Sequence, residues 1–343
     1  MKFLVASALV LVGSCSTVRH SEKIENLKES ISYEDKSTVE NYLKTINAEE
    51  LKTFVEEVSS DKYEGRMTGE DGHNMVCDYI RNYYKDLDIA APESHPDYFQ
   101  KVPKEALPDD LNASQNVIAF IEGSEFPDEY IYIAAHSDHE GIVDGQIYSG
   151  ADDNGSGTAA VFEMAEAFKV AAEDGNGPKR SIVFLHVTAE EVGLHGSRYY
   201  TNNPIFPMEN TISTLNIDMI GRVDERHEDN EDYIYVIGAD RISTELHFVI
   251  QEANSNFTNL DLDYKYNEDS DPNRYFYRSD HYNFALKDIP VVFFFNGEHE
   301  DYTQPTDTAD KINYQLLEKR TKLIFATAWY LANSPFPIKA EII

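Results

Sequence analysis

Residues 130–157, YIYIAAHSDHEGIVDGQIYSGADDNGSG, place an unbroken apolar run directly before a segment that carries histidine and aspartate. The run 130–135 does not alternate with polar residues, which is typical of a strand buried on both faces. The glycine-flanked string 150–157, GADDNGSG, leads into a predicted helix over residues 156–172. A strand followed by a helix of this kind predicts an α/β unit.

The same alternation continues outward from this stretch along the chain. The sequence predicts strands over residues 116–121, 130–135, 181–187, 211–217, 233–237 and 290–295. It predicts helices over residues 49–58, 73–85, 156–172, 197–202, 243–252 and 314–333. Strands that alternate with helices predict an α/β sandwich around a central, largely parallel sheet.

The composition is that of an acidic globular protein. The chain has 343 residues with 29 Lys and Arg against 62 Asp and Glu, a formal net charge of −33. This acidity argues against binding of nucleic acid, which requires clustered basic residues, and against electrostatic docking on an anionic membrane. Cys15 and Cys77 are the only cysteines, so a disulfide framework and a cysteine-only zinc site are both excluded.

The first residues have the layout of a targeting segment. Residues 1–15, MKFLVASALVLVGSC, contain one lysine, an apolar run and small residues before a cysteine, which predicts a secretory signal. The ending VGSC resembles the bacterial lipobox, in which Cys15 would be lipidated; ordinary secretion is the alternative. We interpret residues 16–37 as a flexible tether and residues 38–343 as one domain. These features predict a protein outside the cytoplasm, at the periplasm or cell surface, anchored to the membrane only through Cys15.

Polar segments with metal-ligand chemistry stand mostly at the ends of predicted strands. Four of them end predicted strands: HSDH at 136–139, TAEEVG at 188–193, NIDM at 216–219 and NGEH at 296–299. GADDNGSG at 150–157 opens a predicted helix, and SDH at 279–281 precedes the last predicted strand. Any one of these segments alone is usually a hydrogen-bonded surface pair or a solvated turn and not a metal site. In an open α/β sheet, however, ligands collect beyond the carboxyl ends of the strands. Carboxylates crowded there would repel each other, and a divalent cation would resolve the conflict; histidine with carboxylate oxygens suits zinc.

These motifs resemble those of a known family over roughly residues 48–335. The strings that carry the resemblance are SSDKYEGRMTGEDG, HSDHEG, SGADDNGSGTAAVFEMAEAF, TAEEVGLHGSRYY, NIDMIGR, RSDHYNF and YTQPTDTADKINY. In this order and spacing they resemble the zinc-dependent aminopeptidase family that also contains glutamate carboxypeptidases and glutaminyl cyclases. The resemblance implies a phosphorylase/hydrolase-like, three-layer α/β/α fold with a mixed sheet. It also implies peptide substrates from which N-terminal residues are removed.

The resemblance further implies two zinc ions that share one bridging carboxylate. Mapped by motif, the ligands are His136, Asp153, Glu191 and Asp218. In this mapping Asp153 bridges both ions and Glu191 binds the second ion. Glu190 would be the general base that takes a proton from a metal-activated water. Asp138 would hold the other ring nitrogen of His136 and fix its tautomer.

The chain departs from the family pattern at one ligand position. The family usually ends with Tyr-His-x-Pro-x-Asp-Thr, whereas residues 302–308 read YTQPTDT, so Thr303 stands where the last histidine ligand is expected. Three interpretations follow: His299 replaces the ligand, the second zinc binds weakly, or the site is catalytically impaired. The functional alternatives to an aminopeptidase are cyclisation of N-terminal glutamine and a non-catalytic peptide-binding lipoprotein.

Three further residues have two interpretations each. His281 either contacts the substrate or has a structural role in the turn that precedes the last strand. Tyr277 either donates to an oxyanion or packs as an ordinary aromatic residue. His139 either caps its loop or belongs to the site.

Overall fold

Eight strands form the central sheet of the part of the chain described by the structure, residues 20–342 of a computed structural model. In chain order they are β1 (Phe99–Val102), β2 (Ser114–Ile121), β3 (Phe126–His136), β6 (Arg180–Val187), β7 (Thr211–Ile217), β8 (Tyr233–Ile237), β9 (Asp261–Asp263) and β10 (Val291–Phe295). A separate hairpin pairs β4 (Ile142–Val143) with β5 (Gln146–Ile147). In space the eight strands follow the order β1-β2-β6-β3-β7-β10-β8-β9.

The centre of the sheet is parallel and its flanks are mixed. Strands β6, β3, β7 and β10 run in the same direction, while β2 and β8 pair antiparallel to their inner neighbours. The register sets His136 of β3 opposite Val187 of β6, and Ala134 of β3 opposite Asn216 of β7. The carboxyl ends of β3, β6 and β7 therefore lie side by side at one edge of the sheet.

Helices cover both faces of this sheet. They are α1 (20–30), α2 (Lys36–Leu43), α3 (Ala48–Val58), α4 (Asp71–Asp86), α5 (Gly157–Glu173), α6 (His195–Asn202), α7 (Ala239–Ile242), α8 (Thr244–Phe257), α9 (His281–Ala285) and α10 (Tyr314–Asn333). Between residues 20 and 342, none of the helices combines the length and the apolar character needed to cross a lipid bilayer.

The alternation of side chains along β3 explains the three layers. Ile131 and Ile133 point into the core that also contains α5 and α10. Tyr130 and Tyr132 point to the opposite face, where a second core includes Phe284 of α9. Because successive strand residues face opposite sides, an uninterrupted apolar strand requires cover on both. The predicted α/β/α sandwich with a mixed, largely parallel sheet is confirmed.

The six predicted strands and six predicted helices are all present, with bounds that differ by a few residues. The short strands β1 and β9 were not predicted from the sequence. They contain four and three residues, FQKV and DLD, and they contain charged residues. Strands this short and polar lack the apolar run on which the prediction depended.

The predicted boundary between tether and domain, after residue 37, needs a correction within the described residues. Residues 16–37 were predicted to be a flexible tether, but 20–30 are helical and Ile31 is buried. The Tyr33 hydroxyl donates to the carbonyl oxygen of Ala326 at 2.8 Å, and Trp329 Nε1 donates to Asp35 at 2.9 Å. The described part of this segment therefore packs on α10, because its few apolar residues bury there. The predicted signal segment, residues 1–15 with Cys15, lies outside the described residues.

Candidate active site

The ends of β3 and β7 bring the first group of predicted ligands together. His136 Nε2 lies 3.2 Å from Asp218 Oδ1 and 3.3 Å from Asp153 Oδ1. The other oxygen of Asp218 accepts a hydrogen bond of 2.7 Å from Ser279, which fixes the carboxylate. All three side chains are buried, and their ligand atoms lie within 4.8 Å of one another. This group has the donors and the spacing of a metal site.

The loop before α5 is held so that Asp153 reaches this group. The Asn154 amide donates to the carbonyl oxygen of Ile217 at 2.8 Å and accepts from the backbone of Met219 at 3.2 Å. Asp307 accepts hydrogen bonds from the backbone nitrogens of Asp152 and Asp153 at 3.0–3.1 Å. Asp307 belongs to the YTQPTDT string, so this string positions the loop.

A second group of side chains meets on the other side of Asp153. His139 Nδ1 lies 2.6 Å from Glu191 Oε1 and 4.0 Å from Asp153 Oδ2. These three ligand atoms again lie within 4.8 Å of one another. From the sequence, His139 is expected either to cap its loop or to belong to the site without an assigned role. The available signal was the spacing of two histidines, three residues apart, at one strand end.

A buried arginine joins the two loops that carry these groups. The Arg66 guanidinium donates to the carbonyl oxygens of Ser137 at 3.2 Å and Gly150 at 2.8 Å, and its own carbonyl accepts from the His139 backbone at 3.1 Å. Arg66 is part of the quoted string SSDKYEGRMTGEDG, but sequence reasoning assigned it no role. Its guanidinium bonds are to backbone carbonyls, so it positions the loops and pairs with none of the cluster carboxylates.

The position of His299 corrects one of the three interpretations of Thr303, namely that His299 replaces the missing ligand. Its Nε2 lies 3.1 Å from Asp152 Oδ2, and its Nδ1 accepts from the Asp301 backbone at 3.3 Å. Both ring nitrogens are therefore engaged outside the two groups described above. The structure does not bring His299 to Asp153 and Glu191, because its imidazole contacts Asp152, whose carboxylate belongs to neither group.

Glu190 and Asp138 lie beside the first group. The backbone nitrogen of Glu190 donates to Asp138 Oδ1 at 3.2 Å, and the other oxygen of Asp138 accepts from Thr68 at 2.9 Å. His136 Nδ1 lies 3.2 Å from the carbonyl oxygen of Asp138 and 3.8 Å from its carboxylate. The predicted contact with Asp138 exists, but the shorter distance from the ring is to the backbone of that residue.

A cavity of about 290 Å³ opens onto these groups. Glu190 and Asp218 line one part of it, and Tyr275, Phe293 and Phe295 line an aromatic part. Tyr277 also lines the cavity, as a substrate role requires. His281 is fully buried and stacks on Phe293 with ring centroids 5.0 Å apart, which matches the structural interpretation of this residue.

The electrostatics of the site test whether a cation fits it. Burial and the charge of Glu191 raise the pKa of Asp153 to about 6, although His136 opposes the shift. Burial likewise raises the pKa of Glu191 to about 8. Burial opposes a charge on His136, but Asp218 and Glu190 raise its pKa well above the usual range. Within residues 20–342, neither Lys nor Arg forms an ion pair with Asp153, Glu190, Glu191 or Asp218. Crowded, uncompensated carboxylates next to histidines fit a divalent zinc ion.

The fold and this site define a class of α/β protein with a histidine–carboxylate metal centre at the carboxyl edge of its sheet. The family model described as peptidase family M28 matches residues 116–328. This chain belongs to peptidase family M28, and the predicted family is confirmed.

Individual proteins show the extent of the similarity. A "Probable zinc metalloprotease" of Pyricularia oryzae is 28% identical over 261 residues, which cover 64% of this chain and 50% of the relative. The first curated relatives are matched over half of their length or less. The LapA aminopeptidase of Legionella pneumophila shares the fold, with a TM-score of 0.67 and 20% identity over 88% of this chain and 76% of that one. Porphyromonas gingivalis glutaminyl cyclase also shares it, with a TM-score of 0.63 and 15% identity over 82% and 98%.

Proposed function

We propose that this protein is a zinc-dependent exopeptidase that removes N-terminal residues from peptides outside the cytoplasm. The observation that carries the proposal is the approach of His136, Asp153 and Asp218 within 4.8 Å of one another, beside Glu190 and an open cavity. Membership of peptidase family M28 supports the hydrolytic chemistry. The similar zinc metalloprotease and aminopeptidase support the metal and the exopeptidase action.

The residues assigned to the metal centre would hold up to two zinc ions. His136 and Asp218 would hold one ion, Glu191 would contribute to the other, and Asp153 would contribute to both. Zinc in such a centre supplies a water of lowered pKa, near ~7, and a Lewis acid for the scissile carbonyl. The aromatic part of the cavity, formed by Tyr275 and Phe293, accepts the side chain of the residue to be released.

Glu190 is the proposed general base. Its backbone is fixed by Asp138, and burial, with the charges of Asp218 and Glu191 adding to it, raises the pKa of its side chain well above the usual range. With a divalent cation bound nearby, that pKa would fall, so the Glu190 carboxylate would be ionised and able to accept the proton of the attacking water. Glu190 then delivers this proton to the leaving amine as the peptide bond breaks.

The adjacent glutamates allow a matched test of this assignment. We expect the purified protein to release 4-nitroaniline from amino-acyl 4-nitroanilides. Glu190→Gln should lower kcat by ~10²–10⁴-fold and leave the zinc content unchanged, because it removes only a proton acceptor. Glu191→Gln should instead lower the zinc content. Near-normal turnover of Glu190→Gln would contradict its role as the base.

Cyclisation of N-terminal glutamine is the second candidate, favoured by the shared fold of the glutaminyl cyclase and by Thr303 at a ligand position. A glutaminyl peptide distinguishes the two reactions. Release of free glutamine supports the exopeptidase, whereas release of ammonia with a cyclised N-terminus supports the cyclase. Neither product, with zinc bound or absent, would support the non-catalytic peptide-binding alternative.

The location outside the cytoplasm is supported by residues 1–15, MKFLVASALVLVGSC. In a bacterial host we expect cleavage before Cys15 and a lipid on its thiol, detected by mass spectrometry of the mature N-terminus. Cys15→Ser should remove the lipid and release the protein from the membrane fraction. An unprocessed N-terminus would contradict the signal, and cleavage without lipid would indicate ordinary secretion.

A further inference from the structure

Thr303 creates a gap in the proposed second zinc site. A neutral threonine hydroxyl is a weak zinc ligand, so Asp153 and Glu191 alone would leave that ion without the nitrogen donor that zinc sites commonly include. The question is whether another side chain of this chain takes the place of the missing histidine.

His139 has the position that such a replacement requires. Its Nδ1 lies 2.6 Å from Glu191 Oε1 and 4.0 Å from Asp153 Oδ2, so one nitrogen faces the two carboxylates that would bind the second ion. The three atoms lie within 4.8 Å of one another, which is the spread of donors around one small cation. A neutral imidazole adds no further negative charge to this crowded edge.

The surroundings of His139 hold the ring in this orientation before any ion binds. The residue is 1% exposed, and its backbone nitrogen donates to the Arg66 carbonyl at 3.1 Å. Gly150 lies against the ring: a Cβ atom there would stand 2.5 Å from His139 Cδ2, so only glycine leaves room. Within the described residues His139 Nε2 has no hydrogen-bond partner, so the contacts of Nδ1 and packing set the ring orientation.

His299, the other candidate for the missing ligand, already has a contact at each ring nitrogen. His299 contacts Asp152 through Nε2 and the Asp301 backbone through Nδ1. Moving it to Glu191 would leave the buried Asp152 carboxylate without its histidine partner. His139 needs no such rearrangement.

We propose that His139 is the imidazole ligand of the second zinc ion, in place of the histidine that the family has at the position of Thr303. Both histidine ligands then come from one segment, residues 136–139, instead of from two distant loops. The inference rests on the metal centre of the proposed function and names the donor that completes it.

The decisive readout is zinc binding rather than activity. Zinc per chain is measured by mass spectrometry of the metal after dialysis against graded chelator, for the parent, His139→Ala, His139→Gln and His299→Ala. We expect two zinc ions in the parent and a second-site affinity at least ~100-fold weaker in His139→Ala, beyond the 10–100-fold typical of outer-shell partners. His139→Gln, which keeps a hydrogen-bonding group near Glu191, should show a similar loss. His299→Ala should keep both ions.

Two further measurements make the assignment specific. X-ray absorption at saturating zinc should show one imidazole per zinc in the parent and one half in His139→Ala. The double variant His139→Ala/Thr303→His should regain the second ion, because an imidazole then returns to the usual family position. The retained first zinc and an unchanged melting temperature of the zinc-free protein report that each variant is folded.

The outcomes separate this inference from the proposed function. Two tightly bound ions in His139→Ala would overturn it, and loss of one ion in His299→Ala alone would assign the ligand to His299. Parent-like zinc binding by His139→Gln would reduce His139 to a hydrogen-bonding partner of Glu191 and overturn the proposal as well. If the parent is active with two zinc ions and the His139 variants bind zinc like the parent, only this inference is refuted. A parent that binds no zinc refutes both this inference and the proposed function.

Discussion

Asp152 and Asp153 are neighbours in the chain, but their carboxylates belong to two groups with opposite electrostatics. Asp152 accepts from the Gly221 backbone at 2.7 Å and contacts His299 at 3.1 Å. In the same group, Asp301 receives hydrogen bonds from Arg222, Thr306 and Lys311. We call Asp152, His299 and Asp301 the compensated group, since both carboxylates accept hydrogen bonds from other groups of the protein and both have lowered pKa values.

The metal cluster, His136, His139, Asp153, Glu191 and Asp218, is less compensated. Asp218 accepts from Ser279, but in the described residues the ion-pair partners of these carboxylates are the two histidines, and no lysine or arginine pairs with them. Burial works against ionisation in both groups, but hydrogen bonds hold the pKa of Asp301 well below its usual range, whereas the pKa of Glu191 rises to about 8. The two groups contain the same residue types but differ in charge balance. Protein groups compensate the carboxylate charge in the compensated group, whereas the carboxylates of the metal cluster would be stabilised by a bound cation.

Removing the shared carboxylate of the metal cluster should have the largest effect. Asp153→Ala should weaken both zinc ions and lower kcat/KM by more than about 10³-fold, because a metal supplies several kcal/mol of transition-state stabilisation. Zinc content and peptidase rates measure the two effects. Asp152→Asn, the matched control one residue away, should keep both ions. Loss of zinc in the control, with zinc retained in Asp153→Ala, would reverse the assignment of the two groups.

Removing a carboxylate of the compensated group should lower the free energy of unfolding and leave the zinc content unchanged. Asp152→Ala leaves His299 and the Gly221 backbone nitrogen without their buried partner, which should lower the free energy of unfolding by about 3 kcal/mol. Urea denaturation of the zinc-loaded protein measures this change. If the variant unfolds like the parent but binds less zinc, Asp152 belongs to the metal cluster.

The smallest expected effect is at Glu163, a buried acid outside both groups. Glu163 on α5 accepts from the Asn47 backbone at 3.0 Å, and burial raises its pKa to about 8. The folded state therefore holds a proton that the unfolded state loses above about pH 4.5. Stability should fall as pH rises from about 4.5 to 8.

Glu163→Gln should remove this part of the decline. Between pH 5 and 8, the stability of the variant relative to the parent should rise by at least about 1 kcal/mol, given about 1.4 kcal/mol per pKa unit. Chemical denaturation at both pH values measures it, with the exposed Glu173→Gln on the same helix as control. A constant difference across this range would mean that Glu163 is ionised in the folded protein.

Much of the fold could be predicted from local sequence. The apolar run 130–135 identified β3, and its uninterrupted character required cover on both faces. Strands such as β9, DLD, could not be predicted, because their place depends on pairing with β8 rather than on their own composition. Part of the segment assigned to the tether packs on α10 through Tyr33, a contact between residues 293 positions apart.

For the site, the sequence by itself determined which residue types stand at the strand ends, and the family resemblance assigned His136, Asp153, Glu191 and Asp218. Only the tertiary structure decided which histidine faces Glu191, placing His139 there and His299 on Asp152. The physical reason is that strand identity follows from the periodicity of adjacent residues. The partner of a loop side chain depends instead on distances between segments far apart in the chain, here set by Arg66, Gly150 and Asp307.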